Sequence, residues 1–161
     1  MDAELTRQFE ASYDAYGAMV YRLAMAYLGR TADAEDVTQE VFCRLLWRAP
    51  GFADGEHEKR WLLQVTANLC KDQLKGFWRK RAAALDADIP AEHEADRGVL
   101  EAILTLPEAY RAPIHLHYYE GYSVAEVAEL LRLSPSAVKM RLKRGRERLK
   151  LELEPGKEGS V

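Results

Sequence analysis

The chain has 161 residues, of which 48% are apolar and 30% charged, and its formal net charge is −3. These values are typical of a soluble globular protein with one domain or two small ones. No apolar run is long enough to span a membrane and the N-terminus lacks the pattern of a signal peptide, so we expect neither export nor membrane insertion and predict a cytoplasmic protein.

The charges are unevenly distributed along the chain. Residues 1–82 carry twelve basic and twelve acidic groups, whereas residues 83–97 carry one arginine and five acids. The second segment also contains Pro90 and few apolar residues, which is typical of a linker. We therefore predict two domains, 1–82 and 98–153, on an acidic linker, with a disordered tail at 154–161.

Helical periodicity runs through nearly every segment and strand-like alternation never persists, so the predicted fold is all-α. In the first domain the pattern predicts helices at about 5–28, 33–48 and 58–81, with Asp33 as the N-cap of the second. Their apolar stripes can share one core, which predicts a compact helix bundle.

The second predicted helix carries two acids, an amide and an aromatic residue at helical spacing. Closely spaced carboxylates could bind a divalent metal, as a nuclease requires, or could form an ordinary solvated face. The interpretation that we favour is a protein-docking surface, in which the acids attract a basic partner and the aromatic ring supplies buried area. These residues are Asp36, Gln39, Glu40 and Phe42.

The third predicted helix combines aromatic and basic residues. Cations along a helix edge can follow a phosphate backbone, while aromatic rings stack on unpaired bases and an amide hydrogen-bonds them, so the cluster predicts a site for single-stranded DNA. The alternative is that the rings belong to the core beside a solvated basic edge. The cluster comprises Trp61, Asn68, Phe77 and Trp78 with Lys71, Lys75, Arg79, Lys80 and Arg81.

Beyond the linker, the pattern predicts a helix from about Val99 to Leu106 and another from Pro107 to Gly121. Pro113 lies inside the second of these and should kink it, because proline lacks an N–H and clashes with the preceding turn.

Residues 122–150 predict two short helices joined by a tight turn. Ser123 is the expected N-cap of the first helix, and Ser134 followed by Pro135 is a typical start for the second. This arrangement is that of a helix-turn-helix, in which the second helix enters the major groove of DNA.

The second of these helices is strongly basic, with a single acid, Glu147. A basic helix alone is often just a solvated face, but the preceding helix and the Ser-Pro start favour DNA binding through phosphate attraction. The seven cations are Lys139, Arg141, Lys143, Arg144, Arg146, Arg148 and Lys150.

The cysteines and histidines form no recognisable ligand pattern. Cys43 and Cys70 stand alone within apolar helical segments, so we expect reduced core thiols. His115 and His117 are two residues apart, on different sides of a helix, and we expect surface or packing roles for them. The sequence therefore predicts no metal site and no cofactor.

The order of these features resembles that of the extracytoplasmic-function (ECF) sigma factors of bacterial RNA polymerase, over roughly residues 5–150. The segment DAEDVTQEVFCRLLWR is similar to the family's region 2 helix that docks on polymerase, and WLLQVTANLCKDQLKGFWRKR to the segment that melts and reads the minus-10 element. The stretch LPEAYRAPIHLHYYEGYSVAEVAELLRLSPSAVKMRLKRGRERLK is similar to region 4, which reads the minus-35 element.

The resemblance implies a non-enzymatic transcription initiation factor. Its implied partners are promoter DNA, an anti-sigma factor, and core polymerase through the clamp of the largest subunit and the flap of the second. Core docking would fall to Asp36, Gln39, Glu40 and Phe42. The minus-10 single strand would meet Phe52, Trp61, Asn68, Lys71, Lys75 and Arg79, with Asn68 and the loop at 52–56 holding a flipped base. The minus-35 groove would face Ser136, Lys139, Met140, Lys143 and Arg144.

Three residues depart from the family's usual pattern. Arg132 stands in the turn where glycine is common, which predicts a positive φ. Pro113 interrupts a helix usually written without proline, and Met140 replaces a small polar residue of the recognition helix. Two other functions stay open at this level: a stand-alone helix-turn-helix regulator, and a metal-dependent nuclease that uses Asp36 and Glu40.

Overall fold

The computed structural model describes residues 3–48, 51–77 and 94–150. All regular secondary structure in these ranges is helical, which confirms the all-α prediction. The chain divides into two compact units, Met1–Ala82 and Ala83–Val161. Across the described ranges, no helix combines the length and apolar character that crossing a bilayer requires. The tail predicted at 154–161 lies outside them.

The first unit contains three long helices, α1 (Ala3–Leu28), α2 (Thr31–Arg48) and α3 (Gly55–Phe77). The prediction that Asp33 caps α2 is wrong, because the helix begins two residues earlier and Asp33 lies in its first turn. Helix α3 also begins before the predicted residue 58. Its start is capped by Asp54, whose Oδ1 accepts the backbone N–H of His57 at 2.8 Å.

The core of the first unit forms where the three helices meet. Fully buried side chains include Leu23 from α1, Val41 from α2 and Leu62 from α3, and burying each such side chain contributes roughly 1.5–3 kcal/mol. Cys70 is completely buried as predicted, and burial raises the pKa of its thiol far above the ordinary value. Cys43 differs from the prediction, because it is only half-buried at the edge of the bundle.

The second unit contains α4 (Glu94–Leu104), α5 (Glu108–Ile114), a π-helical turn (His115–Tyr119), α6 (Val124–Leu131) and α7 (Pro135–Leu149). Helix α4 begins four residues inside the segment predicted as linker, of which residues 83–93 are outside the described ranges.

Pro113 does not end the helix that contains it. The helical path continues through Pro113 and changes to π-helical geometry at His115. Without an N–H on Pro113, the carbonyl of Ala109 loses its helical partner. Arg141 of α7 donates from Nη1 to that carbonyl at 3.3 Å, so the proline is tolerated because another helix satisfies the freed oxygen.

The caps of α6 and α7 confirm the sequence prediction. Ser123 Oγ accepts the N–H of Glu126 at 3.2 Å, and Glu126 Oε1 accepts the N–H of Ser123 at 2.9 Å, which forms a capping box. Ser134 Oγ accepts the N–H of Ala137 at 3.1 Å, with Pro135 in the first turn. Such caps each contribute about 1 kcal/mol, so the turn is fixed at both ends.

Arg132 adopts the predicted left-handed conformation, with φ 56° and ψ 49°. The turn is stabilised by the N–H of Leu133, which donates to the carbonyl of Ala128 at 2.9 Å. We expect Arg132→Gly to stabilise the second unit by about 1 kcal/mol, because glycine adopts this conformation without steric cost. Urea unfolding measures the effect. Arg132→Ala, which removes the same charge but keeps a Cβ, should give no gain; equal gains from both variants would contradict backbone strain.

Candidate functional site

The five residues predicted to face the minus-35 groove lie on the exposed face of α7. Ser136, Lys139, Met140, Lys143 and Arg144 are all exposed, with Met140 at 45%. The opposite face packs inward through Val138, Leu142 and Leu149, which are at most 3% exposed. The helix therefore presents a polar, mostly cationic strip while it remains anchored in the domain.

Three arginines of α7 contact their own domain instead. Arg141, which donates to the carbonyl of Ala109, is half-buried. Arg146 donates from Nη1 to the hydroxyl of Tyr118 at 3.1 Å. The guanidinium carbon of Arg148 lies 5.9 Å from the centre of the Tyr110 ring, a cation–π distance. Arg141 and Arg146 are thus half-buried against the domain, whereas the other five cations, Arg148 among them, are exposed.

Gly145 is a residue whose role the sequence analysis missed. It is buried in the middle of α7, and a Cβ there would lie 2.7 Å from Cγ1 and 2.8 Å from Cδ1 of Ile114. Only glycine allows α5 and α7 to approach this closely. The one signal in the sequence was a glycine in a helix interior, where it costs about 1 kcal/mol relative to alanine unless packing requires it.

The two histidines of the π-helical turn are buried beside the helix-turn-helix. His117 Nδ1 lies 2.7 Å from the carbonyl oxygen of Tyr122, so the ring donates from Nδ1. His115 stacks on Tyr119 at 5.2 Å, with its Nε2 3.4 Å from a carboxylate oxygen of Glu120. Both histidines therefore have packing roles, and their contacts connect the end of α5 to the start of α6.

The predicted minus-10 residues of α3 lie along one helix face. Trp61, Asn68 and Lys75 follow one another at intervals of seven residues, and Lys71 lies three residues after Asn68. These spacings put all four residues on one side of α3. Lys75 is exposed and the other three are half-buried. These four residues are therefore accessible, whereas Arg79 and the other predicted residues Trp78, Lys80 and Arg81 lie outside the described residues.

Phe52, in the loop before α3, extends this face. Its ring meets those of His57 at 5.2 Å and Trp61 at 5.7 Å, both edge to face. The N–H of Ala53 donates to Nδ1 of His57 at 3.0 Å, so the neutral ring carries its proton on Nε2. The sequence analysis missed His57, although its spacing of four from Trp61 places the two on one side of α3.

The start of α3, which follows this loop, is held from α1. The Tyr16 hydroxyl donates to the carbonyl of Gly55 at 3.1 Å. Burial raises the pKa of Tyr16, and the charges of Glu58, Glu56 and Asp54 raise it further, so the hydroxyl keeps the proton that it donates. This bond ties the start of α3 to α1, directly after the loop that carries Phe52.

The predicted docking face of α2 is partly revised. Asp36, Gln39 and Glu40 are exposed, and Glu40 pairs with Arg44 at 3.0 Å. Phe42 is only 2% exposed and packs against Tyr13 with ring centres 5.0 Å apart. The expectation that Phe42 offers contact area to a partner is therefore wrong for the free protein, because this side of α2 faces α1.

No group of three or more potential ligands from His, Cys, Asp and Glu is placed to hold a metal ion in the described part of the chain.

Comparisons with known proteins assign both units to one family. Sequence models of "Sigma-70 region 2" and "Sigma-70, region 4" match residues 12–82 and 96–149. The ECF RNA polymerase sigma factor SigE of Mycolicibacterium smegmatis is 36% identical over 144 residues, which are 81% of this chain and 56% of SigE. SigL of Mycobacterium tuberculosis is 30% identical over 156 residues, which are 89% of this chain and 88% of SigL. The chain thus spans little more than half of one relative and most of the other.

Two solved structures share the fold. The sigma factor RpoE of Bartonella quintana, crystallised with the anti-sigma factor NepR, has a TM-score of 0.75 at 20% identity. The matched part covers 90% of this chain and 96% of the RpoE chain. SigJ of Mycobacterium tuberculosis has a TM-score of 0.62 at 22% identity, and the matched part covers 92% of this chain and 55% of the SigJ chain.

The helix-turn-helix, the aromatic and basic face of α3 and the acidic face of α2 thus lie within the two matched regions, in the family's order. With 30% identity across nearly all of SigL, the chain belongs to the ECF sigma factors, the transcription initiation factors that direct bacterial RNA polymerase to promoters.

Proposed function

We propose that this chain docks on core polymerase through α2, reads minus-35 duplex DNA with α7, and melts and reads the minus-10 element with α3 and the loop before it. It acts in the cytoplasm and catalyses no reaction of its own. The observation that carries the proposal is the division of α7: three arginines hold it on its domain, while Lys139, Lys143 and Arg144 face outward.

The exposed strip of α7 has the chemistry of a major-groove reader. Arginine and lysine can donate to guanine O6 and N7, and the apolar Met140 side chain can contact a thymine methyl group. Ser136, Lys139 and Met140 lie in the N-terminal half of α7, which a helix-turn-helix brings to base edges, and Lys143 and Arg144 continue the same exposed strip by one turn. Lys150, at the C-terminal end of α7, would contact phosphate.

The face of α3 has the chemistry of a single-strand site. An extruded base needs a stacking surface and a hydrogen-bonding group for its Watson–Crick edge. Phe52 and Trp61 offer the stacking surface, Asn68 the amide, and Lys71 and Lys75 follow the backbone phosphates.

Two protein partners complete the proposal. The acidic face of α2 suits a basic surface on the clamp of the largest polymerase subunit, and the second unit would meet the flap of the second subunit. We also propose an anti-sigma partner, since RpoE of Bartonella quintana, which shares the fold, was crystallised with one.

Run-off transcription with purified core polymerase tests the proposal. Adding the chain should produce transcripts that begin at specific promoters, selected from a fragment library of the source genome. If the chain binds duplex DNA tightly by itself and never yields promoter-specific transcripts, the stand-alone regulator is correct instead.

We expect Arg144→Ala to cost about 1–3 kcal/mol of promoter affinity and to relax base preference at one or two minus-35 positions. Lys150→Ala is the matched control, because it removes a phosphate contact and should weaken binding to all sequences alike. Titration of the polymerase complex against a library randomised at minus-35 measures both. Unchanged preference with Arg144→Ala would contradict this placement of α7.

A further inference from the structure

Arg132 occupies a strained position in the turn between α6 and α7. Among the residues that the structure describes, it is the one residue other than glycine with a positive φ. This conformation brings Cβ too close to the following carbonyl oxygen, so any side chain here costs stability that glycine would keep. The turn requires the left-handed conformation, but it does not require an arginine.

The side chain of Arg132 makes no polar contact that offsets this cost. It is exposed, and its guanidinium forms neither a hydrogen bond nor an ion pair with any residue in the described ranges. Glu129, three residues earlier, is also exposed and does not pair with it. Arg141 and Arg146, by contrast, are bonded to their own domain. Strain without a compensating internal contact is typical of residues that serve a ligand.

The position of Arg132 indicates which ligand this is. The residue directly follows α6, and α7 begins three residues later at Pro135. In a helix-turn-helix the first helix crosses the sugar-phosphate backbone, and the N-terminal residues of the second reach base edges. A cation between the two helices therefore lies near the phosphates that border the major groove.

The backbone that carries Arg132 is already ordered. The N–H of Leu133 donates to the carbonyl of Ala128 at 2.9 Å, and Ser134 Oγ accepts the N–H of Ala137 at 3.1 Å, directly after the turn. A residue on a preorganised backbone loses little freedom when it binds. The planar donors of a guanidinium match two oxygens of one phosphate, which suits arginine to this contact.

We propose that Arg132 binds a DNA backbone phosphate at the border of the minus-35 major groove, and that this contact offsets the strain of an arginine in the turn. The inference rests on the proposed reading of minus-35 DNA by α7 and adds a positioning contact outside the exposed strip of that helix. The phosphate contact strengthens binding to every sequence and fixes the position of α7 in the groove, whereas α7 selects the bases.

Three substitutions separate the charge of Arg132 from its strain. Arg132→Lys keeps the cation and the Cβ, Arg132→Ala keeps only the Cβ, and Arg132→Gly keeps neither. We expect the lysine variant to change the affinity of the polymerase complex for a promoter fragment by less than about twofold, and the other two to lower it by about three- to tenfold. In urea unfolding, only the glycine variant should have a raised midpoint.

The glycine variant is the decisive one, because it should be more stable and bind more weakly. Damage to the fold cannot produce that combination. Binding of DNA by Arg132→Gly as tight as that of the wild type, or equal affinities of the lysine and alanine variants, would overturn the proposal.

The dependence of affinity on salt identifies the lost contact as a phosphate. The plot of log affinity against log salt concentration should become shallower by about 0.9 for the alanine and glycine variants and stay unchanged for the lysine variant. Lys150→Ala is the reference, since it removes another proposed phosphate contact. Base preference in a library randomised at minus-35 should remain that of the wild type; a changed preference would assign Arg132 to a base and overturn the phosphate contact.

Uncharged methylphosphonate groups, placed one at a time in the DNA backbone, locate the contact. With the wild-type complex, one replacement at the border of the minus-35 element should lower affinity by about the same factor as Arg132→Ala. That replacement should have no further effect on the Arg132→Ala complex, whereas the Lys150→Ala complex should keep its full effect. If every replacement costs the wild type and Arg132→Ala the same, the proposal is wrong.

The Arg132 contact and the proposed function can fail separately. If the wild-type complex selects minus-35 sequences while Arg132→Ala has wild-type affinity and salt dependence, the reading by α7 stands and the phosphate contact falls. If the wild-type complex shows no preference at minus-35, both fall.

Discussion

Replacing Asp36 and Glu40 together by lysine is expected to lower the affinity for core polymerase by more than about tenfold, or roughly 1.4 kcal/mol. Both side chains are exposed, so the substitutions reverse the local charge by four units without entering the core. Like charges then face the basic partner. Breaking the exposed pair of Glu40 with Arg44 should cost the fold little, because such pairs contribute at most about 1 kcal/mol.

The measurement is a competition assay for core polymerase, with helical circular dichroism as the check on folding. The control is Glu4→Lys with Glu101→Lys, which changes the net charge equally at exposed positions outside this face. Like Glu40→Lys, the control substitution Glu4→Lys removes an acid that pairs with an arginine, in this case Arg7. Full polymerase binding by the folded Asp36 and Glu40 variant would remove α2 from the docking surface.

Features that depend on local chemistry could be predicted from the sequence. Ser123 and Ser134 cap their helices through residues three positions later, so a short segment contains the whole interaction. The positive φ of Arg132 follows from the same local turn. The start of α2 was misplaced because Asp33 is a good N-cap by type, and the residues before it continue the helix.

Features that depend on which faces meet could not be predicted. Phe42 carries the same apolar signal whether it faces a partner or α1, and only tertiary packing decides between them. The sequence analysis counted Arg141 among the cations that attract phosphate, whereas in the structure its guanidinium donates to the carbonyl of Ala109. That bond satisfies the carbonyl that Pro113 leaves without a helical partner, and this carbonyl lies thirty-two residues before Arg141 in the chain, too far for helical periodicity to predict the contact.

The close approach of α5 and α7 at Gly145 is another contact that the sequence did not predict, and changing this residue has the largest expected effect on stability. We expect Gly145→Val to destabilise the second unit by about 2 kcal/mol, because the new Cβ would overlap Ile114, which is buried at 1% exposure. Displacing α7 from α5 would also misplace its exposed strip, so minus-35 affinity should fall. Hydrogen exchange of the α5 and α7 amides measures the stability of this unit separately from the first.

Two variants distinguish this overlap from a general effect of valine in a helix. Glu147→Val places the same side chain on the exposed face of α7 and should cost only a few tenths of a kcal/mol. Ile114→Ala removes the atoms that the new Cβ would meet, so the double variant should be more stable than the sum of the single effects by about 1 kcal/mol or more. Additive effects would mean that α5 and α7 can separate at this point at little cost. The orientation of α7 would then depend on its arginine contacts to Ala109 and Tyr118 rather than on the close approach at Gly145.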